Sequence, residues 1–371
     1  MKKIYTNYGK WIRLIAFLIV FVLINSFFSA ALIPSALSRV IIHEMDQPDQ
    51  YETVIFGQSH TSYGVDPEIL EEKTGQTTMN ASIGGEYMVD MYYMALEMYR
   101  HNTPKTVVID MDYQYFINIP KKENTIMSTL VYNNYPFSRY KFGYAWNTLL
   151  VKEYRAALFP WLNYRDNYGN VYGTLNNKMT SEYKEYLPEG ITEIADCDSY
   201  KGKGFIYTDR MLYKRDESQA GLGIWWNELK VDYSESIEYF KKIVDLCREN
   251  GSQVIMITSP INVETMFNGE SVSEYNEIEQ YFADIAKENN LTYYNFNIVK
   301  PQAYIRRTTD YWDYDGHMYG DSAEVYSEFL GGFLNKVIHN QSIDWEYYFY
   351  NDVFDMKENY EKDIQLLESG Y

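Results

Sequence analysis

The sequence predicts an α/β fold in which a parallel sheet carries helices on both faces. Three observations support this prediction: several short apolar runs rich in β-branched residues, amphipathic stretches of helical periodicity between them, and the regular alternation of the two. Strands that alternate with helices are joined by crossover connections, which make neighbouring strands parallel. In open α/β folds, ligands bind at the carboxyl edge of such a sheet.

The predicted elements follow one another from residue 53 onward. The run TVIFG reads as a buried strand, and the β-branched run TVVIDMD suits a central parallel strand. Gly251 is placed to end a long helix, and Pro260 closes the strand after it. In order, the elements are strand 53–57, short strand 77–82, helix 86–101, strand 106–112, helix 233–251, strand 253–258, helix 274–290, strand 291–296 and a helix after His317.

The N-terminal segment predicts a membrane anchor. Residues 14–37 contain no charge and are long enough to cross a bilayer of about 30 Å as a helix. Lysines and an arginine within residues 1–13 predict that this end stays in the cytoplasm, so that everything after about Arg39 lies outside the cell. A cleaved signal peptide is the alternative, because small residues at 26–31 offer a cut site; the apolar run continues past them and favours an uncleaved anchor.

The rest of the chain divides into a stem, an α/β domain and a C-terminal extension. The stem covers residues 38–51, the domain residues 52–340, and the acidic, aromatic extension residues 341–371. Between about residues 114 and 230 the alternation stops, and Tyr, Asn and Lys become frequent. We interpret this region as an insertion that builds a wall or lid over the carboxyl edge of the sheet.

Composition argues against several classes of function. The formal net charge of −19 would repel nucleic acid and anionic lipid headgroups. The 39 tyrosines suit sugar faces, and equally a tyrosine-rich core or surface. Cys197 and Cys247 form no CxxC motif, and Cys247 is predicted to be a buried free thiol. The five histidines lack zinc-site spacing, so the prediction includes no metal and no cofactor.

Ser59 is the candidate nucleophile, because it follows the first predicted strand. A hydroxyl attacks only after a base has taken its proton, so Ser59 needs a histidine from elsewhere in the fold. His317 lies in the polar loop before the last predicted helix, and Asp315 or Asp313 could fix its tautomer. This serine and this histidine would meet at one edge of a parallel sheet. The alternative role for Ser59 is a helix N-cap.

The motifs around these residues resemble a known hydrolase family. The lipase elbow GxSxG is not matched, because Thr61 stands where its second glycine should be. The blocks VIFGQSHTSYGVDP, MNASIGGE, PKTVVIDMD and DGHM resemble the SGNH/GDSL hydrolase superfamily. Within it, they resemble the membrane-anchored branch that includes the D-alanyl transfer protein of teichoic acid modification and the alginate O-acetylation proteins. The resemblance covers roughly residues 50–340 and implies a flavodoxin-like three-layer sandwich.

The resemblance implies roles for individual residues. Ser59 matches the nucleophile of the family and His317 its general base. The backbone N–H groups of Ser59 and of Gly84 or Gly85 would face the developing oxyanion. Asn80, in the glycine block, is a supporting candidate, although turn chemistry is an equal explanation for Asn80 and the two glycines.

The chain departs from the family pattern after the strand 106–112. The family has there an Asn that supplies a third oxyanion donor, and this chain has Asp112, Tyr113 and Gln114 instead. Asp112 and Tyr113 are therefore further supporting candidates. His60 directly follows the serine and cannot easily reach its hydroxyl, so it is predicted to support the site from behind or to lie on the surface.

A second departure concerns the acid that orients the histidine. The family has this acid three residues before the histidine, where this chain has Tyr314. Asp315 lies two residues before His317 and Asp313 four before it. We give Asp315 a slight preference.

These observations predict an extracytoplasmic enzyme that forms an acyl-Ser59 intermediate. It would pass the acyl group, by preference acetyl, to a hydroxyl of an exported polysaccharide or a teichoic-acid-like polymer of the cell envelope. The resemblance implies a membrane-bound O-acyltransferase as partner, since no acyl donor is made outside the membrane. Two alternatives stay open: a carbohydrate acetylesterase that uses the same residues, and a non-catalytic glycan-binding or scaffold protein of an export complex.

Overall fold

A computed structural model describes residues 2–117, 126–150, 154–212, 234–268 and 271–369 of the chain. By its internal contacts the chain divides into two units. The first, which we call the anchor unit, comprises residues 1–40 and 121–193, and the second, the sheet unit, comprises residues 41–120 and 194–371.

The sheet unit is built on a parallel five-stranded sheet. In chain order, the strands of this unit are β1 Thr53–Phe56, β2 Thr78–Asn80, β3 Thr106–Asp110, β4 Asp198–Gly202, β5 Phe205–Thr208, β6 Gln253–Thr258 and β7 Tyr293–Asn295. The large sheet has the order β2-β1-β3-β6-β7, and all its neighbouring strands are parallel. β4 and β5 form a separate antiparallel hairpin. Counted along the chain, the sheet strands have the order 2-1-3-4-5, which is the order of flavodoxin-like sheets.

Each strand and helix that the sequence predicted between residues 53 and 296 is present, with ends that differ by at most three residues. The helices are α1 Lys2–Leu32, α2 Leu37–Met45, α3 Ser59–Gly64, α4 Pro67–Thr74, α5 Met88–His101, α6 Gln114–Ile117, α7 Ile126–Asn134, α8 Arg139–Tyr144, α9 Tyr154–Leu158, α10 Val171–Met179, α11 Ser181–Lys184, α12 Ser234–Glu249, α13 Val263–Phe267, α14 Ser271–Glu288, α15 Gly320–Ile338, α16 Trp345–Tyr348 and α17 Val353–Glu368. A π-helical stretch covers Ala145–Leu150, and a longer 3₁₀ segment covers Pro160–Asn170.

The central strands are apolar because both of their faces are covered. Every residue of β1 and β3 is buried, as expected for parallel strands. Helix α4 packs against α15, and α5 packs against α12. The buried face of α15 includes Ala323, Tyr326, Leu330 and Phe333, which are positions that the helical periodicity predicted. The C-terminal α17 packs on α14.

The anchor unit contains the one helix in the described residues that is long and apolar enough to cross a membrane. This candidate span covers Tyr8–Leu32, with a mean hydropathy of 2.5 and few buried residues. The helix ends five residues before the predicted end of the anchor, because Pro34 lacks a backbone N–H and disfavours helical conformation in the residue before it. The predicted orientation of the span stays a prediction.

The region 114–230, which the sequence predicts to be an insertion, is divided between the two units. Residues 121–193 belong to the anchor unit, whereas the β4–β5 hairpin belongs to the sheet unit. Residues 118–125, 151–153 and 213–233 of this region lie outside the described residues. A wall or lid over the sheet edge stays a prediction.

Candidate active site

Ser59 lies at the carboxyl edge of the sheet because a short turn joins β1 to α3. The strand ends at Phe56, and Ser59 is the first residue of the helix. Gly57 is required in this turn, since a Cβ there would collide with the hydroxyl of Thr61. Thr61 itself donates a hydrogen bond to Asp110 at the end of β3, with an O–O distance of 2.8 Å. Thr61 therefore ties the turn to the neighbouring strand.

The loop before α15 brings His317 to this serine. The Nε2 atom of His317 lies 2.7 Å from the hydroxyl oxygen of Ser59, and the two residues are 258 positions apart in the chain. The Nδ1 atom lies 2.7 Å from the Oδ2 atom of Asp313. Serine, histidine and carboxylate thus form a continuous hydrogen-bonded chain, which is the geometry of an activated serine nucleophile.

Of the two candidate aspartates, Asp313 and not the slightly preferred Asp315 contacts the Nδ1 atom of His317, and the role of either one in catalysis stays a prediction. Between Asp313 and His317 the loop turns back, because Gly316 adopts the left-handed region at φ 111°. The other oxygen of Asp313 accepts the backbone N–H groups of Gly316 and His317, at 3.0 and 3.1 Å. This turn brings the carboxylate of Asp313, four positions before the histidine, to the Nδ1 atom of its ring.

Electrostatics agree with this assignment. Burial raises the pKa of Asp313, but hydrogen bonds and the charge of His317 outweigh burial and lower it below its ordinary value. Burial and the neighbouring Asp313 raise the pKa of Asp315. Asp313 is therefore the carboxyl group that is more readily ionised.

Aromatic rings hold the His317 imidazole in place. The ring of Trp312 stacks on it at a centroid distance of 4.9 Å, and the ring of Tyr63 meets it edge-on at 5.7 Å. The guanidinium of Arg210 lies 3.7 Å from the centroid of the Trp312 ring and forms an ion pair with Asp198. The imidazole therefore has little freedom to rotate away from the serine.

Gly84, a predicted oxyanion-hole residue, lies close to Ser59. A Cβ added to Gly84 would lie 3.2 Å from the Cβ of Ser59, so the glycine allows the two backbones to come close. Gly85 follows with φ 75°, a left-handed conformation that turns the loop past the serine. The N–H groups of Ser59 and Gly84 have no backbone acceptor in the described part of the chain.

The side chain of Asn80 is buried and bonded to the backbone rather than exposed to a substrate. It donates hydrogen bonds to the carbonyl groups of Thr61 and Val65, at 2.8 and 2.9 Å. Its oxygen accepts the N–H of Ser82 at 3.2 Å. Asn80 therefore fastens α3, which begins with the serine, to the end of β2.

Asp112 pairs with His60, a contact that sequence reasoning missed. Their Nδ1 and Oδ2 atoms are 2.7 Å apart, and the ring of His60 lies 4.7 Å from the ring of His317. Burial lowers the pKa of His60, but the carboxylates of Asp112, Asp313 and Asp110 outweigh burial and raise it to about 9. The neighbouring carboxylates thus favour the protonated form of His60.

A narrow apolar cavity lies beside the His60–Asp112 pair. Tyr113, the third supporting candidate, lines it together with Met111, Ile261 and Phe282. It leaves about 30 Å³ of space for the centre of a water-sized molecule. A cavity of this size suits a very small group next to the site.

One set of metal-ligating side chains lies together elsewhere in the described residues. Asp46, Glu97 and His101 bring their ligand atoms within 4.8 Å of one another. Glu97 forms an ion pair with Arg100, and His101 lies 3.4 Å from Asp46. The group is therefore accounted for by its internal ion pairs, and it is not part of the site around Ser59.

The chain was compared with known proteins. No family model matches it, and no curated protein matches it. Among solved structures, it is similar to that of a "putative acylhydrolase" from Bacteroides fragilis NCTC 9343. The identity is 12%, the match covers 80% of this chain and 93% of that one, and the TM-score is 0.33. A likeness of this strength does not indicate the function of this chain.

Proposed function

We propose that the sheet unit is a serine-dependent O-acyltransferase with an SGNH-type three-layer fold. One observation carries the proposal: the hydrogen-bonded chain from Ser59 through His317 to Asp313, with both distances at 2.7 Å. Such a chain serves acyl transfer, because it removes the proton of the serine as the hydroxyl attacks a carbonyl carbon.

In the first half-reaction, Ser59 takes the acyl group from a donor ester. His317 accepts the hydroxyl proton at Nε2 while the oxygen forms a bond to the acyl carbon. Asp313 stabilises the imidazolium, and the N–H groups of Ser59 and Gly84 face the oxyanion of the tetrahedral intermediate. The intermediate collapses to acyl-Ser59, and His317 returns the proton to the leaving oxygen of the donor.

In the second half-reaction, a hydroxyl of the acceptor replaces the donor. His317 takes the acceptor proton, the acceptor oxygen attacks the acyl carbon, and the proton returns to Ser59 as the ester of the acceptor leaves. Water in place of the acceptor would give net hydrolysis. The same residues therefore serve an acetylesterase, which is the alternative function.

The imidazolium of His60 supports this chemistry from the side. Its ring lies 4.7 Å from the ring of His317, and its pKa of about 9 keeps it charged at neutral pH. A fixed positive charge near the site stabilises the negative charge that develops on the acyl oxygen. This charge would offset part of the loss of the family's Asn.

The proposal includes a location and partners. The candidate span would cross the cell membrane once, with the N-terminus in the cytoplasm and the catalytic domain outside. The acyl group would be acetyl, the acceptor an exported polysaccharide or a teichoic-acid-like polymer, and the donor side a membrane-bound O-acyltransferase. We propose no nucleic acid partner, because the net charge is −19.

The test uses the full chain in detergent. A fluorophosphonate probe should label the wild type, and p-nitrophenyl acetate should be cleaved, whereas Ser59→Ala and His317→Gln should lose both signals. Ser181→Ala, at an exposed serine of the anchor unit, is the matched control and should behave as the wild type. Equal background in all four proteins would reject the acyl-serine mechanism and favour the non-catalytic glycan-binding or scaffold role. An oligosaccharide with free hydroxyl groups, added as acceptor with p-nitrophenyl acetate as donor, then separates the two reactions, because transfer yields an acetylated oligosaccharide and hydrolysis yields acetate.

A further inference from the structure

A segment of the anchor unit packs along the side of α1 and not only at the C-terminal end of this helix. Three sets of contacts mark successive levels along this helix, which rises about 1.5 Å per residue. The contacting groups, which are four side chains and one backbone carbonyl, all come from residues 158–178, far from α1 in the chain. The levels show how far this segment descends along the candidate membrane span.

The first level is the end of α1. Lys178 donates to the carbonyl groups of Ala30, at 2.9 Å, and of Ile33. Asn167 donates to the carbonyl of Leu32 at 2.9 Å. These bonds satisfy carbonyl groups that a helix leaves free at its C-terminus, where a cation is also favoured.

The second level lies about 10 Å further down, at Asn25. The indole N–H of Trp161 donates to the side-chain oxygen of Asn25 at 2.8 Å. The amide of Asn25 donates in turn to the carbonyl of Leu158 at 2.9 Å. The ring of Trp161 also stacks on Phe28, at a centroid distance of 4.8 Å. The polar side chain in the apolar helix thus has both of its groups paired by one segment.

The third level is Phe21. Its ring meets the ring of Phe159 edge-on, with centroids 5.6 Å apart. Phe21 lies eleven residues before Leu32, so this contact is about 16 Å below the end of the helix. The segment therefore descends by about half the thickness of a bilayer core.

The length of α1 decides where this contact lies. A membrane core of about 30 Å needs about 20 residues of helix, and the uncharged part of α1 begins after Arg13. If Phe21 and all later residues were outside the membrane, residues 14–20 would remain, and they measure about 10 Å. Phe21 therefore lies inside the apolar layer whenever α1 spans it, and Phe159 lies there with it.

The composition of the descending segment fits an apolar surrounding. Residues 156–164, with the sequence AALFPWLNY, contain no charge. The side chain of Leu158 is 46% exposed, although it is apolar. A bilayer tolerates only backbone whose polar groups are paired. Here the N–H of Phe159 donates to Arg155 and the N–H of Leu162 to Phe159, at 2.8 and 3.0 Å, and Pro160 has no N–H.

We infer that residues 156–164 insert beside α1 into the membrane leaflet nearest to the end of that helix, where lipid acyl chains cover Leu158. The inference rests on the proposal that α1 spans the membrane, and it does not depend on the acyl-transfer chemistry. The anchor then consists of a spanning helix and a half-inserted segment, which fixes the depth of the anchor unit and its rotation about α1.

The test places a nitroxide spin label at single cysteines of the full chain in palmitoyl-oleoyl-phosphatidylcholine vesicles. The parent carries Cys197→Ser, and the buried Cys247 stays in place, with unlabelled parent as the blank. Labels go to Leu158→Cys, to Phe17→Cys in the middle of α1, and to Met179→Cys beside the cation at the end of α1. The last two positions are 63% and 72% exposed, so the label fits.

We expect labels at residues 158 and 17 to collide more often with oxygen, which concentrates in lipid, than with a water-soluble nickel chelate. The label at residue 179 should show the opposite preference. A water-exposed label at residue 158 beside a lipid-exposed label at residue 17 would overturn the inference and leave the spanning helix intact. Water exposure at both would reject the span as well. Fluorophosphonate labelling of Ser59 in the same vesicles reports separately on the proposed function.

Discussion

Two histidine–carboxylate pairs lie side by side at the carboxyl edge of the sheet, and they differ in what their second nitrogen meets. In both pairs the Nδ1 atom lies 2.7 Å from an aspartate oxygen. The Nε2 atom of His317 reaches Ser59, whereas that of His60 is buried and has no hydrogen-bond partner among the described residues. The same pair of residue types thus lies beside a serine hydroxyl in one place and is enclosed in the other.

If His317 acts as a base, as we propose, it is contact with a hydroxyl that distinguishes it from His60, since both histidines have a carboxylate partner. His317 has an acceptor on one side and the nucleophile on the other, so a proton has somewhere to go. His60 is enclosed, and three carboxylates hold its proton, which raises its pKa to about 9.

Removal of the nucleophile or of its base should have the largest effect. Ser59→Ala and His317→Gln are each expected to lower kcat/KM for p-nitrophenyl acetate by at least about 10³-fold, because neither variant can form the acyl-serine. Steady-state kinetics and intact-protein mass spectrometry for the acyl adduct measure the loss. An acyl adduct in Ser59→Ala would show that another residue is the nucleophile.

The two aspartates of the histidine loop should separate clearly. Asp313→Asn is expected to lower kcat by about 10²- to 10⁴-fold, since the amide favours the wrong tautomer of His317 and cannot stabilise its cation. Asp315→Asn is the matched control, with the same chemical change two residues away, and should stay within about threefold of the wild type. The reverse order would restore the preference that the sequence alone suggested.

The charge of His60 should have a moderate effect that depends on pH. His60→Gln keeps a hydrogen-bonding side chain and removes the cation, so kcat is expected to fall by about tenfold at pH 7 with little change in KM. In the wild type the rate should fall as the pH rises through about 9, where the imidazolium loses its proton. His60→Gln should lack this decrease in rate at alkaline pH. If the decrease persists in the variant, it reports the titration of another group.

The stability of the fold should also depend on pH through the protonation of His60. The pKa of His60 is about 9 in the folded chain against an ordinary value of 6.5. The contribution of the protonated His60 to the free energy of unfolding is therefore complete below pH 6.5, declines between pH 6.5 and 9, and is lost above that range. At most it amounts to about 3 kcal/mol. Thermal unfolding in detergent at pH 6 and pH 9.5 measures this, and the wild type should lose more of its advantage over His60→Gln at the higher pH.

The packing of Trp312 should have the smallest effect. Trp312→Leu removes the ring that stacks on His317 but leaves the Ser59 and Asp313 contacts in place. We expect a fall in kcat of about two- to fivefold, because the imidazole gains freedom to leave the productive orientation. Trp345→Leu, at a half-exposed tryptophan near the C-terminus, is the control and should leave kcat unchanged.

Sequence reasoning reached part of this site through topology. A serine after the first strand and a histidine before the last helix must come to one edge if the strands are parallel, and the structure brings Ser59 and His317 into contact there. Their catalytic roles remain predictions. The choice between Asp313 and Asp315 was out of reach, because it depends on the turn at Gly316 and its φ of 111°.

The His60–Asp112 pair was missed for a different reason. His60 follows β1 and Asp112 follows β3, and they meet because these strands are neighbours with Phe56 opposite Ile109. Nothing local in either segment states which strands are neighbours. The sequence did show a basic and an acidic side chain, His60 and Asp112, each just after an apolar run. A correct prediction of strand order would have placed these two residues next to each other.

The strands, the helices between them, the apolar span of α1 and the polar residues that follow the strands can all be identified from the sequence, because periodicity and β-branched runs act locally. Tertiary structure decided which of those polar residues touch. Strand order, register and one left-handed turn set distances between residues hundreds of positions apart, and a hydrogen bond depends on those distances to within a fraction of an ångström. The hydrogen-bonded chain Ser59–His317–Asp313, the His60–Asp112 pair and the descent of residues 156–164 along α1 all belong to that level.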